Sequence, residues 1–153
     1  PLDIQGNNFG FESENLDILP GQWKKIREAS PSELCEFLNN ESILHNCHKY
    51  VTVPFLQSLP FERRKTIQLV YTQKLQITGS ANSWKGCIEN DVSSKLKEAT
   101  ITDPEFTNKL NSGYNPQKPC LVTVSLSMPH VPFEGWEGGN PCWKLIAGVI
   151  ELS

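Results

Sequence analysis

The chain has 153 residues, of which 38% are hydrophobic and 20% charged, the make-up of an ordinary globular domain and not of a disordered or fibrous chain. A chain of this size buries roughly 70% of its unfolded surface, so one core suffices. The formal net charge of −3 carries no global polyanion-gathering field, and no apolar run approaches the ~20 residues needed to span a bilayer.

The N-terminus lacks a basic-then-apolar leader, and the five cysteines (Cys35, Cys47, Cys87, Cys120, Cys142) are odd in number and scattered. A secreted disulfide scaffold is denser and even-numbered, so the expected home is intracellular and cytoplasmic. Asn40-Glu41-Ser42 matches the N-glycosylation triplet, which matters only in a secreted protein.

Residues 1–19 mix Gly6, Asn7, Asn8 and Gly10 with isolated apolar residues and read as an irregular arm, followed by a single domain over 20–153. Pro20 opens a short helical pattern with Trp23 and Ile26. Ser30-Pro31-Ser32-Glu33 is a capping box with proline at the first helical position, and predicts a helix to about Leu38. Ile43, Leu44, Cys47 and Val51 fall on one helical stripe that Pro54 ends. From Pro60 to about Gln76, the spacing of Ile67, Val70, Tyr71 and Leu75 predicts the longest helix, and Trp84, Ile88, Val92 and Leu96 predict another over 83–98. Asp103-Pro104 is an N-cap and first-turn proline for a helix burying Phe106 and Leu110 and closed by Gly113.

The C-terminal third reads differently. Val122, Val124, Leu126 and Met128 alternate with Thr123, Ser125 and Ser127, as a strand with one buried face does, while residues 143–152 are apolar almost throughout, as a strand covered on both faces is. Three prolines and three glycines between Pro129 and Pro141 forbid regular structure there. The expected fold class is therefore α+β: about five helices packed on a small antiparallel sheet formed mainly by a C-terminal β-hairpin, with strands near 120–128 and 142–152. Such a hairpin keeps Cys120 away from Cys142 and argues against a bridge between them.

Three groups of residues carry chemical interest. Phe133 and Trp136, with His130 and Glu137, sit on the constrained loop between the strands, where aromatics commonly mark a recognition surface unless the loop folds back and Trp136 caps the sheet. Cys47 with His48, and Cys142 with His130, are the pairs from which a thiol nucleophile could be drawn; the dull account is a packed cysteine beside a solvated histidine. Arg63, Arg64 and Lys65 form a local basic face on the expected long helix. No metal-ligand spacing, phosphate loop or nucleophile elbow occurs, and no cofactor or metal is expected. The leading expectation is a non-enzymatic protein-interaction or regulatory module that takes a protein partner on the 129–141 loop and adjoining strand edge. The alternative is a cysteine-dependent enzyme using Cys47 or Cys142 with a nearby histidine; the third, less favoured, is a nucleic-acid-binding accessory domain acting through Arg63, Arg64 and Lys65. No membrane association is expected.

Overall fold

The computed structural model of the protein describes residues 2–3, 17–18, 20–22, 24–38, 43–81, 83–90 and 93–152. Nine strands and three helices are described. The strands are β1 (Leu2–Asp3), β2 (Asp17–Ile18), β3 (Tyr50–Thr52), β4 (Ile67–Thr72), β5 (Leu75–Thr78), β6 (Lys85–Asn90), β7 (Ser93–Ile101), β8 (Cys120–Leu126) and β9 (Pro141–Glu151). The helices are α1 (Pro31–Leu34), α2 (Val53–Ser58) and α3 (Pro104–Asn111), with single 3₁₀ turns at Cys35–Phe37 and Phe61–Arg63.

The sheet is what organises them. Neighbours run β4, β8, β9, β7, β6, β5, every pair antiparallel except β7 with β9. Only Gln73 and Lys74 separate β4 from β5, and following the pair directions along the ladder gives the two strands the same sense. They are two halves of one bent strand, which pairs with β8 through its first half and with β6 through its second. The sheet thereby closes into a barrel, with β4 brought against β6 across the closure. Counting the bent strand once, the barrel has five strands, and α3 fills the connection between the third and the fourth. Strand β9 is the hub: β8 lies along one edge, β3 and then β7 along the other.

Inward-facing side chains make one core, including Val70, Leu75, Ile88, Leu96, Val122 and Ile146. The axis is crowded. A methyl group on Gly86 would lie 2.4 Å from Ile146 Cδ1 and 3.3 Å from Leu75 Cδ1, so glycine is what lets β6 approach β9 across the interior. On β4 two polar residues also face inward. Gln68 Oε1 accepts the backbone N–H groups of Ile43 (2.9 Å) and Leu44 (3.3 Å) and so seats the incoming chain on β4. Thr72 Oγ1 donates to Lys74 O and accepts from Lys74 N, fixing the bend itself.

The expected α+β arrangement, with about five helices over a two-stranded sheet, does not form. Where helices were expected from Pro60 to about Gln76 and over 83–98, the described residues form the barrel strands β4, β5, β6 and β7. Ile67, Leu69 and Tyr71 face outward and Gln68, Val70 and Thr72 inward, so the alternation is real, but inward polar residues disguise it as a helical stripe. Trp84, Ile88 and Leu96 recur at even intervals that fit a two-residue period equally well. Residues 43–49 are irregular, no helix forms at 20–22 or 24–30, and α2 spans only Val53–Ser58. The strands near 120–128 and 142–152 exist as β8 and β9, but they are two strands of a barrel, not a separate sheet. Of the expected N-terminal arm, residues 4–16 and 19 lie outside the described residues, as do Trp23, Val92 and the Asn40-Glu41-Ser42 triplet; β1 and β2 pair with each other. All five cysteines are free, and the register that sets Cys120 opposite Glu151 leaves it at the far end of the ladder from Cys142.

The capping signals survive because they act locally. Ser30 and Glu33 form the capping box of α1, and Asp103 caps α3, its Oδ1 accepting from Phe106 N at 3.0 Å. Asp103 has a second role: Oδ2 accepts from Val149 N at 3.1 Å, tying the helix to β9. Replacing Asp103 by Ala removes a cap and strands a strand N–H, so denaturant unfolding should report a loss of about 2–3 kcal/mol, with Asp103→Asn losing less because its amide oxygen keeps the cap.

Candidate nucleic-acid interface

The outer surface of the barrel across β6, β7 and β9 forms a groove of about 430 Å³. Its floor is a row set by strand register: Lys85 on β6 pairs with Thr100 on β7, which pairs with Leu145 on β9. Lys49 and Trp143 stand at one side, Ser127, Met128 and His130 of the β8–β9 loop at another, and Glu98 beside Lys49.

Next to the floor lies a run of rings. His48 and Tyr50 stack with centroids 6.1 Å apart, Tyr50 meets Trp143 at 5.4 Å and Trp136 at 5.5 Å, and Phe133 meets Trp136 at 5.6 Å, the Tyr50 to Trp and Phe133 to Trp136 contacts edge to face. Register explains how residues distant in sequence come together: Tyr50 on β3 pairs directly with Trp143 on β9. The loop is held by its own backbone. His130 N donates to Pro141 O, Trp143 Nε1 to His130 O, and Val53 N to Asn140 O, all at 2.9 Å, while Gly135 and Gly139 take positive φ at its turns. Gly138 lies directly against the Trp136 indole, where a side chain would collide with the ring at 2.3 Å. Trp136 therefore folds back onto Tyr50 and Trp143, its indole N–H buried without an acceptor, whereas Phe133 remains 61% exposed.

Beneath the groove is a lysine. Lys144 is only 2% exposed, and its ammonium donates to the backbone and side-chain oxygens of Asn46 at 2.8 and 3.1 Å. Asn46 Oδ1 also accepts His48 N, and Lys144 N donates to Lys49 O, so the buried lysine fixes the segment that presents Lys49, His48 and Tyr50. Burial pushes its pKa down to about 8, opposed by the nearby Cys47 sulfur.

The other candidate residues are dispersed. Cys142 is fully buried in the barrel core, while His130 is exposed on the loop and its main chain, not its ring, is what the structure engages. Cys47 is exposed, His48 stacks on Tyr50, and His45 stacks on Phe55 at 4.1 Å. Among the described residues no group of three or more His, Cys, Asp or Glu side chains could hold a metal ion. Glu137 is exposed at the loop. Arg63, Arg64 and Lys65 are not on the face of a long helix: Arg63 ends a 3₁₀ turn and the other two follow it, Arg64 donating to Leu59 O and Gln57 O and lying over the Phe61 ring. Sequence reasoning missed Lys49, Tyr50, Lys85, Glu98 and Thr100. For Lys85, Glu98 and Thr100 the signal was alternation within 85–90 and 93–101, hidden by the shared spacing of Trp84, Ile88 and Leu96, whereas Lys49 and Tyr50 lie in a stretch expected to be helical and are placed by the pairing of β3 with β9.

A closed five-stranded barrel whose first strand bends between two partners, with a parallel third–fifth pair and a helix before the fourth strand, is an OB fold, and the groove lies on its second and third strands beside the loop joining the fourth and fifth. The sequence agrees: residues 2–149 match the model of the dual OB-containing domain, DuOB, and the chain belongs to that family. No curated protein and no solved structure matches it. One such barrel is present among the described residues. OB folds commonly bind nucleic acid, which displaces the expectation of a protein-interaction module. The strand edge that reading required is also missing, since β8 is paired with β4 as well as β9, and β9 with β3, β7 and β8. No helix among the described residues is long and apolar enough to cross a membrane.

The lysine beneath the groove gives a test of this packing. Because folding lowers its pKa from 10.5 to about 8, the unfolded chain binds more protons between those values, and Lys144 makes stability rise with pH across that window. Lys144→Met removes this contribution. The stability of the variant minus that of wild type should therefore be greatest at neutral pH and fall by on the order of 2 kcal/mol towards pH 10.5, as measured by denaturant unfolding at each pH.

Proposed function

We propose that the groove binds single-stranded nucleic acid, with bases stacked along the rings and the sugar–phosphate backbone passing the lysines. The observation that carries this is the run of His48, Tyr50, Trp143, Trp136 and Phe133 beside Lys49 and Lys85 on the outer face of an OB barrel. Single strands suit such a surface because every base has a face to stack, and stacking on one aromatic side chain contributes about 1–3 kcal/mol per base. A duplex hides those faces. The basic residues that enter are Lys49 and Lys85, in place of Arg63, Arg64 and Lys65. A net-acidic chain is compatible with this, because two local cations ask little of the global field.

Fluorescence anisotropy with a labelled oligothymidine or oligouridine should show binding that a duplex of the same length does not match. Phe133→Ala, at an exposed loop position, should leave the melting temperature unchanged and weaken binding by about fivefold to 100-fold. With two phosphate contacts, log K should fall against log salt with a slope of only about −1.4. Equal affinity for duplex and single strand, or no loss on removing Phe133, would remove the stacking reading.

A further inference from the structure

Strand β7 carries a residue in an uncommon conformation at the middle of the groove. Gly86 pairs with Ala99 and Ile88 with Leu96, so Lys97 and Glu98 together face Cys87: β7 has a bulge. Glu98 sits there at φ 50°, the one non-glycine residue with positive φ among those described, with its N–H directed to Cys87 Sγ at 3.3 Å. Glutamate has none of the local hydrogen bonding that lets Asn or Asp tolerate this region, so the conformation is strained and is held by its surroundings. Its effect is to aim a carboxylate along the groove at Lys49, 49 residues away in the chain, with which it forms an ion pair. Lys49 and, behind it, Lys85 hold the carboxyl below its ordinary pKa, so Glu98 is ionised at neutral pH.

We propose that Glu98 is a built-in stand-in for phosphate: its carboxylate occupies the anion position on Lys49 and Lys85, and a nucleic acid binds by exchanging a phosphodiester for it. This rests on the nucleic-acid reading of the groove. The exchange is cheap enough to occur, because both partners are about half exposed and an ion pair so open to solvent is weak. It also confers selectivity. A ligand with one phosphate and no stacked bases has little with which to displace the carboxylate, whereas a strand already held by the rings brings its phosphates to Lys49 at high effective concentration. The bulge is then a specificity device: an unkinked strand would alternate its side chains regularly, and the bulge adds an outward acidic group where the groove otherwise offers lysines.

The test uses Glu98→Gln and Glu98→Asn, the second because Asn accepts positive φ and so protects the fold while removing the charge. Both should tighten binding of the labelled oligonucleotide by about threefold to tenfold, the range expected from freeing the half-exposed Lys49 and relieving the field on Lys85. Glu134→Gln, which removes an exposed carboxylate from the β8–β9 loop, should do appreciably less. In a Lys49→Met background the gain from Glu98→Gln should shrink to the size of the Glu134→Gln effect. Unchanged or weaker binding in both Glu98 variants, with melting temperatures retained, overturns the proposal and makes Glu98 a ligand-reading or purely structural group; the same gain from Glu134→Gln reduces it to a general field effect. If neither wild type nor the variants bind, the nucleic-acid reading falls with it, whereas wild-type binding without a Glu98 effect leaves that reading standing.

Discussion

Everything in this barrel depends on the bend at Thr72–Leu75. A stretch of twelve residues, 67–78, has to serve as a strand for two different neighbours, β8 before the bend and β6 after it, and only then can a short sheet close without exposed edges. The Thr72 hydroxyl, bonded both ways to the backbone of Lys74, stabilises the turn in direction from within, where solvent cannot compete for it. Closure then imposes the interior limits seen elsewhere. The axis is narrow enough that β6 carries a glycine against Ile146, and the open side of the core near β4 takes a glutamine, which earns its burial by accepting two backbone N–H groups from residues 43 and 44.

The same closure separates the core from the groove. Alternation puts Gly86, Ala99 and Ile146 inside and leaves Lys85, Thr100 and Leu145 outside as a continuous row, so the groove can change its chemistry without disturbing the core. Lys144 is the exception, because it lies on the inward face yet supports the outer one. Its ammonium holds Asn46, Asn46 holds the turn to His48, and that turn presents Tyr50 to Trp143. A buried cation is an expensive brace, and its lowered pKa reflects the expense. Where it stands, at the junction of β9 and the segment before β3, an apolar side chain would leave the Asn46 carbonyl and amide oxygens without that donor.

What could be read from the sequence was local. The capping box at Ser30 to Glu33, the Asp103-Pro104 start of α3 and its Gly113 stop all act within four residues, and their geometry does not depend on what packs against them. The alternation of 122–126 was legible because its inward positions are apolar. Strands β4 to β7 were not, for reasons that can be named: inward Gln68 and Thr72 supply side-chain hydrogen bonds in place of apolar contact, inward Gly86 has no side chain to register, and a four-residue spacing satisfies both periods. The loop residues Phe133 and Trp136 stood out as aromatics among glycines and prolines. Their companion Tyr50 did not, and His48 was singled out only as a partner for Cys47, since only the pairing of β3 with β9, roughly ninety residues apart in the chain, brings these rings together.

The balance of charge in the groove bears on how a net-acidic chain would hold a polyanion. Lys49 and Lys85 are offset by Glu98, and Lys144 is buried in hydrogen bonds to Asn46, so the groove presents little free positive charge to a distant strand. On the proposed reading, attraction at range is weak and most of the affinity comes from ring-to-base contact at short range. That combination favours ligands whose bases are already unpaired over ligands that merely carry more phosphates, because phosphate density is rewarded by free cations and base exposure by free rings. The rings outnumber the cations here. A strand would then be retained by stacking on Tyr50 and Phe133 and positioned by the lysines, so mutations of the rings act on residence and mutations of the charges on the approach.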